Sequence, residues 1–69
     1  MNYYARLDED DQPIILYRAT PDMEEQVWVP DRGWLPGEFL QDVLEGYGDI
    51  YPISEENARR SFDGRAFLN

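Results

Sequence analysis

Carboxylates are the most abundant side chains in this chain that can do chemistry. The 69 residues include fifteen Asp and Glu and six Arg, with no His, Cys or Lys. These absences remove the usual general base, the thiolate nucleophile, the Schiff-base amine and the best transition-metal ligands. The hydroxyl groups of Thr20, Ser54 and Ser61 therefore have no His or Lys to activate them, which excludes a hydrolytic triad.

Pairs of carboxylates act as acid and base only where a pocket separates their pKa values. A chain of this length rarely encloses such a pocket, and fifteen carboxylates bring some pairs together by chance. We therefore expect that the protein is not an enzyme and uses no cofactor.

The run of acidic residues from Asp8 to Asp11 invites comparison with a calcium-binding loop. An EF-hand loop that starts at Asp8 needs Gly at its sixth position and Glu at its twelfth. Those positions hold Pro13 and Ala19. We interpret the run as a solvated hairpin turn, because Asp side chains bond to nearby backbone amides, and we expect no metal site.

Charge and length narrow the class of protein. A net charge of -9 repels phosphate groups, so we expect no direct contact with nucleic acid. No stretch approaches the roughly 18 apolar residues of a membrane span, and the first residues lack the pattern of a secretion signal. We expect a cytoplasmic protein without membrane association. The length predicts one small acidic domain over residues 1–69.

Short alternating segments separated by turns predict an antiparallel β-meander. The predicted strands are Tyr3–Leu7, Pro13–Thr20 and Glu25–Val29. Ile50–Ile53 predicts a fourth strand, which Pro52 restricts to a sheet edge because proline donates no backbone hydrogen bond.

Two helices are predicted after the meander. The main helix has Pro36 at its first position and ends at the glycines 46 and 48. Its apolar residues recur at helical spacing on one stripe: Phe39, Leu40, Val43, Leu44 and Tyr47. Ser54 is the N-cap of a short C-terminal helix. The sequence thus predicts an α+β fold with a three- to four-stranded antiparallel meander, one main helix and a short C-terminal helix.

The polar side of the main helix carries Glu38, Asp42 and Glu45 at helical spacing. Like charges four residues apart, and negative charge toward a helix C-terminus, both destabilise a helix. Two explanations are open. In the first, the carboxylates either pair with arginines of other elements (Arg6, Arg18 or Arg32) or only favour solubility. In the second, they form an acidic stripe for a basic partner.

The two tryptophans flank the loop that precedes the main helix. Trp28 lies between Val27 and Val29 in a strand, so we expect its ring in the core. Trp34 lies in the predicted loop, and its ring either packs in the core or binds a partner.

The central predicted strand is apolar on both faces. Ile14 and Leu16 face one way, and Ile15 and Tyr17 face the other. An antiparallel strand normally has one polar face. Either the two helices cover both faces, or one face meets a second copy of the chain. We therefore expect a homodimer, at micromolar concentration or above, through one of these two pairs.

These observations favour a non-catalytic protein-interaction module whose partner is another protein. The alternative is an inhibitor or antitoxin-like protein whose acidic surface mimics the charge of nucleic acid and blocks a basic site. The expected partner-binding residues are Trp34, Glu38, Asp42 and Glu45. A charge mimic predicts a strong salt dependence, whereas a dimer predicts contacts through the apolar strand faces.

Overall fold

A computed structural model describes residues 1–68 as one antiparallel sheet with helices on both of its faces. The strands are β1 Asn2–Leu7, β2 Pro13–Ala19, β3 Glu25–Val29, β4 Gly33–Pro36 and β5 Ile50–Ile53. The helices are α1 Leu40–Glu45, α2 Glu55–Ser61 and a 3-10 helix, Gly64–Phe67. The spatial order of the strands is β4-β3-β2-β1-β5. The predicted α+β class is confirmed, although the sheet has five strands rather than three or four.

The additional strand, β4, occupies the segment where the sequence predicts a loop and the start of the main helix. Pro36 is therefore the last residue of β4, and the prediction that it begins a helix is wrong. The pairing of β4 with β3 places Trp34 opposite Trp28, with ring centres 5.5 Å apart and planes at 63°. Such a cross-strand aromatic pair stabilises a sheet, and neither residue's local sequence reveals it.

Side chains close the first two turns of the meander. The Asp8 carboxylate accepts hydrogen bonds from the backbone N–H groups of Asp10 and Gln12, at 2.8 and 2.9 Å. In the second turn the Thr20 hydroxyl accepts one from the Glu24 N–H at 3.0 Å. The interpretation of the acidic run as a hairpin turn is confirmed, because its first carboxylate bonds to the backbone of that turn.

The two helices cover opposite faces of the sheet. Leu16 is 1% exposed and packs with Ala58 of α2, whereas Tyr17 is 8% exposed and packs with Phe39, which directly precedes α1. The connection from β4 through α1 crosses the sheet and returns the chain to the opposite edge, where β5 pairs with β1. Both faces of β2 are thus covered within a single chain.

This coverage limits the predicted dimer contacts. Leu16 and Tyr17 are buried within the chain, Ile15 is half-buried, and Ile14 is 52% exposed. Homodimer formation remains a prediction, but a second copy could reach only a small part of either strand face.

The side chain of Glu25, in β3, caps the beginning of α1. Its Oε1 accepts hydrogen bonds from the backbone N–H groups of Phe39 and Leu40, at 2.8 and 2.7 Å. Phe39 is the N-cap residue and has no side chain that can do this. Because the first N–H groups of a helix have no partner within it, a carboxylate at this position satisfies them and also favours the helix dipole.

The N-terminus of α2 is satisfied locally, as the sequence predicts. The Ser54 hydroxyl accepts a hydrogen bond from the Asn57 N–H at 3.1 Å. Ion pairs four residues apart then join Arg59 to Glu55 and Arg60 to Glu56. Such exposed pairs each contribute about 0.3–0.5 kcal/mol, so the cap and the packing of Ala58 matter more.

We predict that Glu25→Ala lowers the free energy of unfolding by about 1–2 kcal/mol, because two backbone N–H groups lose their acceptor. Glu25→Gln retains an oxygen acceptor and should lose less. Urea denaturation followed by tryptophan fluorescence measures both changes. Glu24→Ala removes the same charge from the adjacent exposed residue and should change the free energy by less than about 0.5 kcal/mol. Equal losses in the Glu24 and Glu25 variants would contradict this role.

We predict that Gly37→Ala destabilises the protein by about 1–3 kcal/mol through overpacking. A Cβ atom at residue 37 would lie 2.8 Å from Val27 Cγ1, in the β3 strand. Gly64→Ala is the matched control, because a Cβ atom there meets no other atom within 4 Å. Thermal melting of the two variants compares them directly, and a Gly37 variant as stable as the Gly64 variant would show that the contact is not tight.

Candidate functional site

Two large apolar side chains at the end of α1 are exposed to solvent. Gly46 adopts a left-handed conformation, with φ of 76°, and the Tyr47 N–H bonds to the Asp42 carbonyl at 2.8 Å. This ends the helix after fewer than two turns. Leu44 is 85% exposed and Tyr47 is 65% exposed. The sequence places both residues on the apolar stripe of the main helix, but only the first part of that stripe packs against the sheet.

The first part of the stripe does pack against the sheet. Phe39 is 1% exposed, and its ring lies 4.9 Å from that of Tyr17 and 5.1 Å from that of Tyr4. Leu40 and Val43 are half-buried against the same cluster. Helix α1 is thus anchored at its beginning, and its end projects from the sheet.

The observed helix boundaries change the interpretation of the three carboxylates. Glu38 is exposed and precedes the N-cap, so it forms no helical pair with Asp42. Asp42 lies in the first turn, where negative charge stabilises a helix. Glu45 lies in the last turn, where negative charge destabilises it. The expected cost of the acidic residues to the helix therefore falls on Glu45 alone.

No arginine neutralises these three carboxylates within residues 1–68. The ion pairs of that region join Arg59 to Glu55, Arg60 to Glu56 and Arg65 to Asp63. The Glu45 carboxylate accepts a hydrogen bond from the uncharged Gln41 amide at 2.8 Å, so its negative charge is not neutralised. Pairing with arginines of other elements thus does not account for the acidic stripe.

We refer to these five residues together as the α1 surface: Glu38, Asp42, Leu44, Glu45 and Tyr47. The surface combines two exposed apolar side chains with three carboxylates that have no basic partner among the described residues. Such a surface can make apolar contacts with a partner and attract the partner's basic groups. The sequence identifies its carboxylates but misses Leu44 and Tyr47, because helical spacing alone does not reveal how much of an apolar stripe packs against the sheet.

The structure places Trp34 apart from the α1 surface. Its ring lies on the sheet face that packs against α2 and the 3-10 helix, opposite α1. The indole N–H donates to the Ala66 carbonyl at 2.8 Å, and the Arg18 guanidinium stacks on the ring at 4.0 Å. Trp34 is half-buried and packs against the core. The four predicted partner-binding residues therefore do not form one surface.

Asp63 and Arg65 form an ion pair at the beginning of the 3-10 helix, with Arg65 Nη2 2.7 Å from Asp63 Oδ2. Hydrogen bonds from the side chain and backbone of Arg65 lower the pKa of the Asp63 carboxyl, and Asp63 in turn raises the pKa of Arg65. Asp63 is the N-cap of this helix, so the pair stabilises the first turn of the 3-10 helix.

Comparisons with protein-family models, with characterised proteins and with solved structures find no match. Within residues 1–68, no three carboxylates converge closely enough to hold a metal ion. In the same part of the chain, no helix is both long and apolar enough to cross a bilayer. Function must therefore be inferred from the chemistry of the residues themselves.

We predict opposite effects of neutralising the two helical carboxylates at low ionic strength. Asp42→Asn should lower the free energy of unfolding by about 0.3–1 kcal/mol, and Glu45→Gln should raise it by a similar amount, because their positions relative to the helix dipole differ. Glu9→Gln in the first turn controls for the relief of net charge. Urea denaturation measures all three, and effects of the same sign and size would contradict the observed helix boundaries.

Proposed function

We propose that this protein is a non-catalytic, cytoplasmic protein-interaction module that uses its α1 surface to bind a protein carrying basic residues. The observation that carries the proposal is the exposure of Leu44 and Tyr47 beside carboxylates that have no arginine partner among residues 1–68. An apolar centre with a charged rim is typical of protein-binding surfaces.

The two apolar side chains supply the anchor of this surface. Tyrosine is enriched among the residues that dominate binding energy, and it loses little conformational entropy on binding. Leu44 and Tyr47 lie at the end of a helix whose beginning is fixed by Glu25 and Phe39. The helix therefore presents both side chains from a fixed base.

The carboxylates supply the selectivity for a basic partner. Charges at the rim of an interface steer association and exclude partners of like charge. The net charge of -9 extends this steering over the whole molecule. Binding through the α1 surface is accordingly expected to weaken as salt is added.

The same charge argues against a second copy as the main occupant of the α1 surface. In a twofold-symmetric dimer the same patch lies on both subunits, so the three carboxylates would face their own copies. The strand faces offer little more, since Leu16 and Tyr17 are buried. Homodimer formation through β2 is a weaker proposal that rests on Ile14 alone.

A second candidate function uses the carboxylates without the apolar anchor. In this alternative the acidic surface mimics the charge of nucleic acid and blocks a basic site on an enzyme or toxin. The absence of ion pairs to Glu38, Asp42 and Glu45 in residues 1–68 supports this alternative as well. The two candidates differ in whether Leu44 and Tyr47 contribute to binding.

Three multiple variants separate the candidates in an affinity capture from native lysate at low and high salt. The anchor variant carries Leu44→Ser and Tyr47→Ser. The charge variant carries Glu38→Gln, Asp42→Asn and Glu45→Gln. A charge-matched control removes three exposed carboxylates elsewhere: Glu9→Gln, Asp10→Asn and Asp22→Asn.

We predict that the anchor variant retains less than about a tenth of the captured partner, since each lost anchor costs about 2 kcal/mol. The charge variant should lose capture mainly at low salt, and the control should capture normally. Loss in the charge variant with an unaffected anchor variant would favour the charge mimic. Equal loss in the charge variant and the control would overturn both candidates, because net charge alone would explain binding.

A further inference from the structure

A small cleft lies on the face of the sheet opposite the α1 surface. It has a volume of about 240 Å³ and lies between β1, β2, α2 and the end of the 3-10 helix. Its polar lining comes from Tyr3, Arg18, Glu55 and Arg59, and its apolar lining includes Phe67. The exposed side chains of residues 1 and 68 form part of its rim. The cleft is therefore amphipathic, with arginines beside aromatic rings.

Arg18 is held in a fixed position in this cleft. Its Nε donates to the Gln26 amide oxygen at 2.6 Å, and its guanidinium carbon lies 4.0 Å from the centre of the Trp34 ring. Trp34 is itself fixed by its hydrogen bond to the Ala66 carbonyl. The Tyr3 side chain, which also lines the cleft, is a further hydrogen-bonding neighbour of this guanidinium. These contacts orient the guanidinium and still leave some of its five N–H groups for a ligand.

The positive charge of Arg18 has no carboxylate partner among residues 1–68. Burial lowers the pKa of this guanidinium, so part of its surface is shielded from water. A partly desolvated arginine without a counter-charge gains more from binding an anion than a fully hydrated one does.

The second arginine of the cleft is only partly available. Arg59 stacks on the Phe67 ring at 4.9 Å, and its Nε lies 3.5 Å from Glu55 Oε2. The side chains that line the cleft therefore include two guanidinium groups and one carboxylate. The cleft is locally positive, although the net charge of the chain is -9.

The charge and the lining of the cleft favour one class of anion. A planar guanidinium with free N–H groups matches a carboxylate through two parallel hydrogen bonds. The negative field of the whole chain disfavours an anion of higher charge, such as a phosphate dianion. The aromatic and apolar lining favours a ligand with an apolar body next to its charge.

We propose that this cleft binds a monocarboxylate that carries an apolar or aromatic group, with Arg18 as the residue that recognises the carboxylate. Such a group is found on small organic acids and on the free C-terminus of a peptide that ends in an apolar residue. The site lies on the other side of the sheet from α1 and does not depend on the function proposed above.

Phenylacetate titrated into the ¹⁵N-labelled protein tests the site, with phenylacetamide as the uncharged probe of the same shape. We expect saturable shifts of the Arg18 Nε–H and Trp34 indole signals with a millimolar dissociation constant for the acid, and no saturation with the amide. Acetyl-Ala-Phe with a free or amidated C-terminus distinguishes the two sources. Tighter binding of the free-acid peptide than of phenylacetate identifies a peptide C-terminus, and equal or weaker binding identifies a small acid.

Arg18→Gln should weaken phenylacetate binding by at least about tenfold, because it removes a charge-assisted bidentate contact. Arg60→Gln removes an arginine that lies outside the cleft and pairs with Glu56, so it should have no effect. Should the Arg18 variant unfold, Glu55→Gln decides the question. Removing the one carboxylate of the cleft should strengthen binding by about threefold, whereas Glu56→Gln should not.

Three results would overturn the proposal. The first is the absence of a saturable shift at Arg18 with phenylacetate. The second is equal binding of the acid and the amide, which would show apolar contact alone. The third is an equal effect of the paired variants, either Arg18 and Arg60 or Glu55 and Glu56, which would show general charge screening.

Discussion

The fold depends on the need to cover both faces of one small sheet. Strand β2 buries Leu16 on one face and Tyr17 on the other. A chain of 69 residues has little length left for covering layers, and no cysteine for disulfides. It covers each face with a short helix, α1 on one side and α2 on the other. Each helix must therefore be fixed by specific contacts, because short helices are not stable alone.

Those contacts determine which residues are left for binding. Glu25 and Phe39 fix the beginning of α1, and Gly46 ends the helix. Leu44, inside the helix, and Tyr47, beyond its end, do not pack against the sheet and are exposed. The part of the apolar stripe that the sheet does not bury thus supplies the apolar centre of the proposed interaction surface.

The arginines that form ion pairs lie on one side of the sheet. The ion pairs within residues 1–68 lie in or near α2 and the 3-10 helix. On that side Arg18 and Arg59 line a cleft against aromatic rings. On the α1 side the carboxylates have no such partners. The unpaired carboxylates near α1 and the cleft lined by Arg18 and Arg59 thus lie on opposite sides of the sheet. Arg6 also lies on the α1 side, where its Nε donates a hydrogen bond to the Tyr17 hydroxyl at 3.4 Å.

The sequence by itself determined the features that depend on neighbouring residues. Alternation and turn chemistry give the strand pattern and the Asp8 turn, and Ser54 caps α2 through an amide three residues away. Only the tertiary structure decided features that join distant residues. The pairing of β4 with β3 places Trp34 opposite Trp28, and Glu25, in β3, caps the beginning of α1. The helix begins at Leu40 and not near Pro36, where the sequence predicts its start. Helix and strand propensities do not describe contacts between residues that are distant in sequence. The sequence therefore does not reveal the exposure of Leu44 or the cleft that contains Arg18.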